Sequence, residues 1–162
     1  MLNLLGEHHC KVDAKGRMMF PVKLRKQLET VVHHGLVINR NLFMKCLTLY
    51  PKPEWDRVQQ EMSLLSRYND KHQRFMIRFL GGATTLELDD AGRLLLPAAL
   101  LEYASVDLRK NNEVVITGVG EQMNLWSVDN YKAMMKEQKD DEDFGSLASE
   151  IDQFIQDRLR KQ

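Results

Sequence analysis

The sequence predicts a mainly β fold with flanking helices, built from two similar halves that a pseudo-twofold axis relates. The run from Asp13 to Arg17 reads Asp-x-x-Gly-Arg, and the same pattern returns 76 positions later, from Asp89 to Arg93. A short segment of alternating apolar and polar residues precedes each copy, which is typical of a half-buried strand. With 162 residues and 43% hydrophobic composition, the chain has room for one core that two small halves share.

The elements of the first half follow from its residue pattern. His8, Cys10 and Val12 alternate with polar residues and predict a strand. Gly16 permits the tight turn that follows, because glycine adopts a positive φ at little cost. Pro21 ends the next strand and begins a short helix. Further strands are expected at 36–40 and 46–50, and helices at 53–68 and 70–80.

The second half repeats this order and then adds a tail. Gly92 occupies its turn, Pro97 begins its helix, and strands are expected at 113–117 and 122–126. The tail opens with an acidic run, 140–143, that we expect to be exposed. An amphipathic helix without a counterpart in the repeat follows, and its apolar stripe consists of Leu147, Ile151, Phe154, Ile155 and Leu159.

Three segments result from this pattern: a basic first half, 1–76, an acidic second half, 77–139, and the tail, 140–162. Periodicity alone does not identify the surface that receives the apolar stripe of the tail. Docking on its own subunit and contact with another subunit therefore both stay open.

Charge is divided unequally between the halves, although the net charge of the chain is zero. Residues 1–76 contain 13 Lys or Arg and 7 Asp or Glu, whereas residues 77–162 contain 10 and 16. A basic half predicts an anionic partner. Six cations lie in or near the first motif: Lys11, Lys15, Arg17, Lys23, Arg25 and Lys26. At the equivalent positions of the second copy, only the arginine of the motif is kept.

We therefore expect the first turn to bind nucleic acid. Lys11, Lys15, Lys23 and Lys26 are expected to contact phosphates. Arg17, at the tip of the hairpin, is the candidate for a base edge, because a guanidinium group can bind guanine through two hydrogen bonds.

The second turn is expected to have a structural role. Its neighbours in sequence are Glu87, Asp90 and Glu102, which would repel phosphate. In both turns the Asp–Arg pair is expected to brace the hairpin. The residues with this structural role are Asp13, Gly16, Asp89, Gly92 and Arg93.

Other functional classes have little support in the sequence. Cys10 and Cys46 form neither a CxxC pair nor a disulfide framework and are interpreted as reduced thiols. His8 and His9 point to opposite faces of a strand, so neither a metal site nor a cofactor is expected. We find no nucleophile or acid–base pair that predicts an enzyme. Without a basic leader or a long apolar run, the chain is expected in the cytoplasm, on the nucleoid.

Taken together, these motifs resemble those of one known family. Asp-x-x-Gly-Arg followed by Pro, twice in one chain, with Leu-Tyr-Pro-x-Pro-Glu-Trp at 49–55, is similar to the MraZ family of bacterial transcriptional regulators. That family is related to the AbrB and MazE swapped-hairpin DNA-binding proteins. The resemblance covers residues 6 to about 138.

The resemblance implies a double-split, swapped-hairpin β-barrel made of two pseudo-symmetric halves and assembled into a ring-shaped homo-oligomer. It also implies binding of double-stranded DNA at direct repeats upstream of the cell-division and cell-wall genes, usually as a repressor of that operon. Asp90 departs from the motif and leaves contact between the second loop and DNA open. An antitoxin-like or scaffold module that binds a protein partner is the alternative, favoured by the amphipathic tail.

Overall fold

The first half of the chain contributes four strands and three helices. The structure is a computed structural model that describes residues 2–136 and 143–162. The strands are β1 (Glu7–Lys11), β2 (Arg17–Met19), β3 (Leu36–Arg40) and β4 (Leu47–Pro51). The helices are α1 (Val22–Gln27), α2 (Lys52–Met62) and α3 (Asp70–Leu80), with a short 3-10 turn at Val32–His34.

The second half follows the same order. Its strands are β5 (Thr84–Leu86), β6 (Arg93–Leu95), β7 (Glu113–Val119) and β8 (Gln122–Ser127). Its helices are α4 (Ala98–Tyr103), α5 (Val128–Lys136) and α6 (Phe144–Arg160). The chain divides into two compact units, residues 1–131 and 132–162. Among the described residues, no helix combines the length and the apolar character needed to cross a membrane.

The two halves exchange their first strands. Six antiparallel strands form one sheet in the order β1-β7-β8-β4-β3-β5, and β2 pairs with β6 in a separate two-stranded ribbon. Thus β1 lies against β7 of the second half, and β5 lies against β3 of the first. The predicted mainly β class with flanking helices is confirmed. Because β1 and β5 remain as edges, hydrogen bonding does not close the barrel.

Strand register places a pseudo-twofold axis through the centre of both sheets. Thr48 faces Asn124 where β4 meets β8, and Met18 faces Leu94 where β2 meets β6. Each of these pairs joins residues 76 positions apart, so equivalent residues of the two halves meet on the axis. The two halves are therefore wound around each other rather than placed side by side.

One correction concerns the tail. Adding 76 to the residue numbers of α2 gives 128–138, and α5 begins at Val128. Adding 76 to those of α3 gives 146–156, a range that lies inside α6. The expectation that the last helix has no counterpart in the repeat is therefore wrong, because α6 corresponds to α3. The acidic residues 140–142 lie outside the described residues, and Asp143 caps α6 by accepting a hydrogen bond from the Ser146 amide at 2.7 Å.

A second correction concerns the length of α2, which ends at Met62 instead of continuing to 68. Ser63 Oγ donates to the carbonyl of Gln60 at 2.6 Å, and Asn69 caps α3 by accepting from the His72 amide at 3.2 Å. Short polar side chains of this kind compete with helical hydrogen bonds and favour a break.

The core lies between the six-stranded sheet and the ribbon. Met18 and Leu94 are fully buried at the centre of the ribbon, together with Phe20 and Leu24. A smaller cluster of Val37, Tyr50, Trp55 and Phe79 is buried separately from this core.

We expect Met18→Ala to destabilise the protein by about 2–5 kcal/mol, since it would leave a cavity on the pseudo-twofold axis. Met19→Ala is the matched control, because Met19 is 53% exposed on the other side of the same strand. Its effect is expected to stay within about 0.5 kcal/mol. Urea unfolding followed by tryptophan fluorescence measures both. Equal losses of unfolding free energy in the two variants would contradict the assignment of Met18 to the buried face of β2 and Met19 to the exposed face.

Candidate nucleic-acid interface

The first Asp-x-x-Gly-Arg loop is organised by the carboxylate of Asp13. Its Oδ1 accepts hydrogen bonds from the backbone amides of Lys15 and Arg17, both at 2.9 Å. Its Oδ2 accepts from Nε of Arg17, also at 2.9 Å. The turn is closed by the Gly16 amide, which donates to the Asp13 carbonyl at 3.0 Å. One side chain therefore fixes both the backbone of the loop and the direction of the arginine.

The second loop has the same geometry. Oδ1 of Asp89 accepts from the amides of Ala91 and Arg93 at 2.9 Å, and Oδ2 accepts from Nε of Arg93 at 3.0 Å. The Arg93 side chain is 38% exposed and the Arg17 side chain 37%. Arg93 is thus placed as Arg17 is, and the structure offers no geometric reason to assign the two arginines different roles.

Hydrogen bonding keeps both aspartates ionised. The Arg17 amide is the main cause that holds the pKa of Asp13 below its usual range, and the Arg17 side chain and the Lys15 amide add to it, against an opposing effect of desolvation. The pKa of Asp89 is lowered in the same way by Arg93 and Ala91. Both carboxylates are therefore charged at neutral pH and able to orient their arginines.

Each loop is also held by the other half of the chain. The Leu96 amide donates to the Gly16 carbonyl at 2.8 Å, and the Phe20 amide donates to the Gly92 carbonyl at 3.0 Å. Gly16 has φ of 86°, and a Cβ there would lie 3.0 Å from the Leu96 carbonyl oxygen. A side chain at this position is therefore opposed by both backbone strain and contact.

The β2–β6 ribbon brings the two arginines to one exposed face. Arg17 pairs with Leu95 and Met19 pairs with Arg93. Because Met18 between them is buried and neighbouring side chains alternate, these four residues share the opposite face. Met19 and Leu95 are 53% and 60% exposed. The arginines are diagonal neighbours across the ribbon, within reach of one another's long side chains.

The terminal guanidinium nitrogens of both arginines are available to a ligand. Within residues 2–136 and 143–162, the only hydrogen bonds from the Arg17 and Arg93 side chains are those that Nε donates to the aspartates. The face of the ribbon therefore presents two oriented guanidinium groups on one diagonal and the apolar side chains of Met19 and Leu95 on the other.

The six cations that lie near the first motif in sequence do not form one cluster around the first loop. Nη1 of Arg25 lies 2.8 Å from the position that a Cβ on Gly92 would occupy, so Arg25 is beside the second loop. Because β2 is paired with β6, α1 starts next to the second loop, and it also carries Lys23 and Lys26. Proximity in sequence is misleading here, since strand exchange decides which loop each helix accompanies.

Strand exchange also changes which loop the acidic residues of the second half accompany. Glu87 lines a cleft together with Lys15 and Gly16 of the first loop. Helix α4, which carries Glu102, contributes Ala98 to that cleft. Glu87 therefore lies beside the first loop, which removes the basis for expecting it to repel phosphate from the second. Asp90 keeps its place there, because it belongs to the second loop itself.

The predicted lysines are exposed. Lys11 and Lys15 are solvent-exposed on β1 and in the first loop, and Lys23 and Lys26 are exposed on α1. Within the described part of the chain, none of the four has a carboxylate within 4.0 Å. All four are accessible to an anionic ligand.

The cysteines and histidines form no competing site in the described residues. Burial raises the pKa of Cys10 to about 11 and that of Cys46 to about 12, so both thiols stay protonated at neutral pH. No group of three or more His, Cys, Asp or Glu side chains in residues 2–136 and 143–162 is arranged to hold a metal ion.

The sequence identified Arg17 and Arg93 as equivalent positions of the repeated motif but assigned them different roles. That assignment rested on the charges nearby in sequence. Strand exchange places Glu87 beside the first loop and Arg25 beside the second.

Known proteins are similar to this chain over most of its length. The family model described as "MraZ protein, putative antitoxin-like" matches residues 3–77 and again residues 79–153. The second match therefore extends into α6, further than the resemblance that ended near residue 138.

Curated relatives agree with the family model. A protein of Christiangramia forsetii named "Transcriptional regulator MraZ" is 39% identical over 151 residues, which are 93% of this chain and 94% of the relative. Its namesake in Flavobacterium psychrophilum is 36% identical over 151 residues, with 93% and 92% covered. Another protein of that name, in Marinomonas sp., is 37% identical over 132 residues, which are 82% of this chain and 85% of the relative. With both halves matched and identity of this extent along the chain, this protein belongs to the MraZ family.

Proposed function

We propose that the chain is a sequence-specific regulator of transcription that binds double-stranded DNA through the exposed face of the β2–β6 ribbon. The observation that carries this proposal is the pair Arg17 and Arg93, each oriented by an aspartate on the same face. The relatives named as transcriptional regulators support the assignment to gene control.

A two-stranded antiparallel ribbon fits the proposed ligand. The major groove of B-DNA is about 12 Å wide and admits such a ribbon. Arginine read-out of guanine needs two terminal nitrogens in a fixed direction, which the Asp13 and Asp89 carboxylates provide by holding Nε. Met19 and Leu95 occupy the other diagonal of the same face, where they can make apolar contact with a thymine methyl group.

The lysines supply affinity rather than sequence discrimination. Lys15 flanks the first loop, while Lys23, Arg25 and Lys26 flank the second through α1. Phosphate contacts at both ends of the ribbon would fix its position in the groove. Lys11 is assigned a phosphate contact as well. Arg93 joins Arg17 as a base-reading candidate, whereas Asp13, Gly16, Asp89 and Gly92 shape the loops.

We further propose that the protein acts as a homo-oligomeric ring on direct repeats in the promoter of its own cell-division operon, as a repressor in the cytoplasm. One ribbon offers only a few contacts. Joining several ribbons raises the effective concentration of each after the first has bound, so weak contacts combine into tight binding on spaced repeats.

Arg17→Ala and Arg93→Ala are each expected to weaken specific binding by roughly tenfold to a hundredfold per site and to relax the sequence preference. Arg67→Ala is the control, since Arg67 is exposed in the connection between α2 and α3. The measurement is footprinting and titration on DNA from upstream of the gene that encodes the chain. Normal operator binding by both ribbon variants would exclude the proposal.

Lys15→Ala is expected to weaken binding to all DNA sequences evenly, because a phosphate contact is lost. The slope of log affinity against log salt should become shallower by about 1. Lys52→Ala removes a lysine at the start of α2 that is already paired with Asp56, and it should leave the slope unchanged. An unaltered slope for Lys15→Ala would show that Lys15 does not contact a phosphate.

A further inference from the structure

A groove of about 860 Å³ lies between α3 and the β3–β4 connection, in the first unit of the chain. Its apolar lining is unusually exposed. Leu42, Phe43 and Ile77 are 50%, 87% and 69% exposed. An apolar surface of this kind, surrounded by charged groups, indicates a binding site for another macromolecule.

The charged groups around this groove are cations. Lys71, Arg74 and Arg78 follow one another at intervals of three and four residues, so they lie along one side of α3. Arg74 is paired with Asp70. Lys71 and Arg78 have no carboxylate within 4.0 Å in the part of the chain that the structure describes. The groove therefore suits an apolar segment with acidic side chains along its edge.

Helix α6 has this composition. Within its own unit, its apolar stripe is uncovered among the described residues, with Leu147, Ile151 and Phe154 exposed by 43%, 49% and 61%. Asp143, Glu150 and Asp157 are spaced by seven residues, which places them about 10 Å apart in a line beside the stripe. Helix α6 itself carries Glu150, Asp152 and Asp157, and its two cations, Arg158 and Arg160, follow in its last turn.

Charge is reversed at one equivalent position of the two helices. With the offset of 76, Arg74 of α3 corresponds to Glu150 of α6. At this position a contact between identical helices would bring like charges together, whereas an α3–α6 contact pairs opposite charges. The reversal therefore favours the mixed contact over either identical one.

We propose that α6 of one copy docks in the α3 groove of a second copy of this chain. Because the two surfaces differ, each copy binds one neighbour through its α3 groove and the other neighbour through its α6 helix. Such head-to-tail contacts produce a ring when the rotation closes. The inference deepens the self-association included in the proposed function, and it assigns that contact to residues away from the DNA-binding ribbon.

Two charge-reversed variants test the contact. One carries Glu150→Lys with Asp157→Lys on α6, and the other carries Lys71→Glu with Arg78→Glu in the groove. Each variant alone should dissociate to smaller species in light scattering coupled to gel filtration, because the contact becomes repulsive. An equimolar mixture should recover the mass of the unmodified assembly, since the altered helix of one variant then meets the altered groove of the other.

Recovery in the mixture separates docking between copies from docking within one chain, which mixing cannot restore. Assemblies that persist in both single variants, or a mixture that fails to recover, would overturn the inference. Glu150→Lys should also lower the mass more than Asp152→Lys, because Asp152 lies on the opposite side of the stripe. Equal effects of these two substitutions would count against the proposed orientation of α6.

DNA binding is measured on the same samples so that the two proposals can fail separately. The dissociated variants should keep the affinity of the unmodified ribbon for a single repeat and lose only the gain from several repeats. An unmodified chain that is monomeric would overturn the docking inference whatever its DNA binding. A ring that recovers on mixing without any DNA binding would leave the docking contact established and exclude the gene-regulatory function.

Discussion

The exchange of first strands between the two halves is the constraint on which the rest of the structure depends. Pairing of β1 with β7 and of β5 with β3 interleaves the halves, and this arrangement makes the β2–β6 ribbon possible. Each loop of the candidate interface receives a backbone hydrogen bond from the opposite half, through Leu96 and Phe20. Each half therefore depends on the other for the pairing of its ribbon strand and for part of the hydrogen bonding of its loop.

The shape of each loop and the direction of its arginine depend on the same aspartate. Asp13 satisfies two backbone amides and orients Arg17, and Asp89 does the same for Arg93. The arginines are therefore positioned before any ligand arrives, which reduces the loss of side-chain entropy on binding. A loop without the aspartate would lose both its turn and the direction of its guanidinium group.

Local features were predictable from the sequence because local interactions decide them. The alternation around Cys10, the glycine turns and the strand at 36–40 are all present. Strand exchange does not follow from these local patterns, since pairing between distant residues leaves no local signal, and only the resemblance to swapped-hairpin proteins implied it. For this reason the position of Arg25 beside Gly92 was missed. The early end of α2 could have been anticipated from Ser63 and Asn69, whose side chains favour helix ends.

The pseudo-twofold ribbon has ends that are alike in backbone but different in side chains. Lys15 stands in the loop at one end, where the equivalent position at the other end is Ala91, and Arg25 accompanies only the second loop. A DNA-binding surface with identical ends would fit a palindrome equally well in both orientations. If the ribbon binds DNA as proposed, its unequal ends would give the complex one direction along the DNA axis, as a tandem array of sites in one orientation requires.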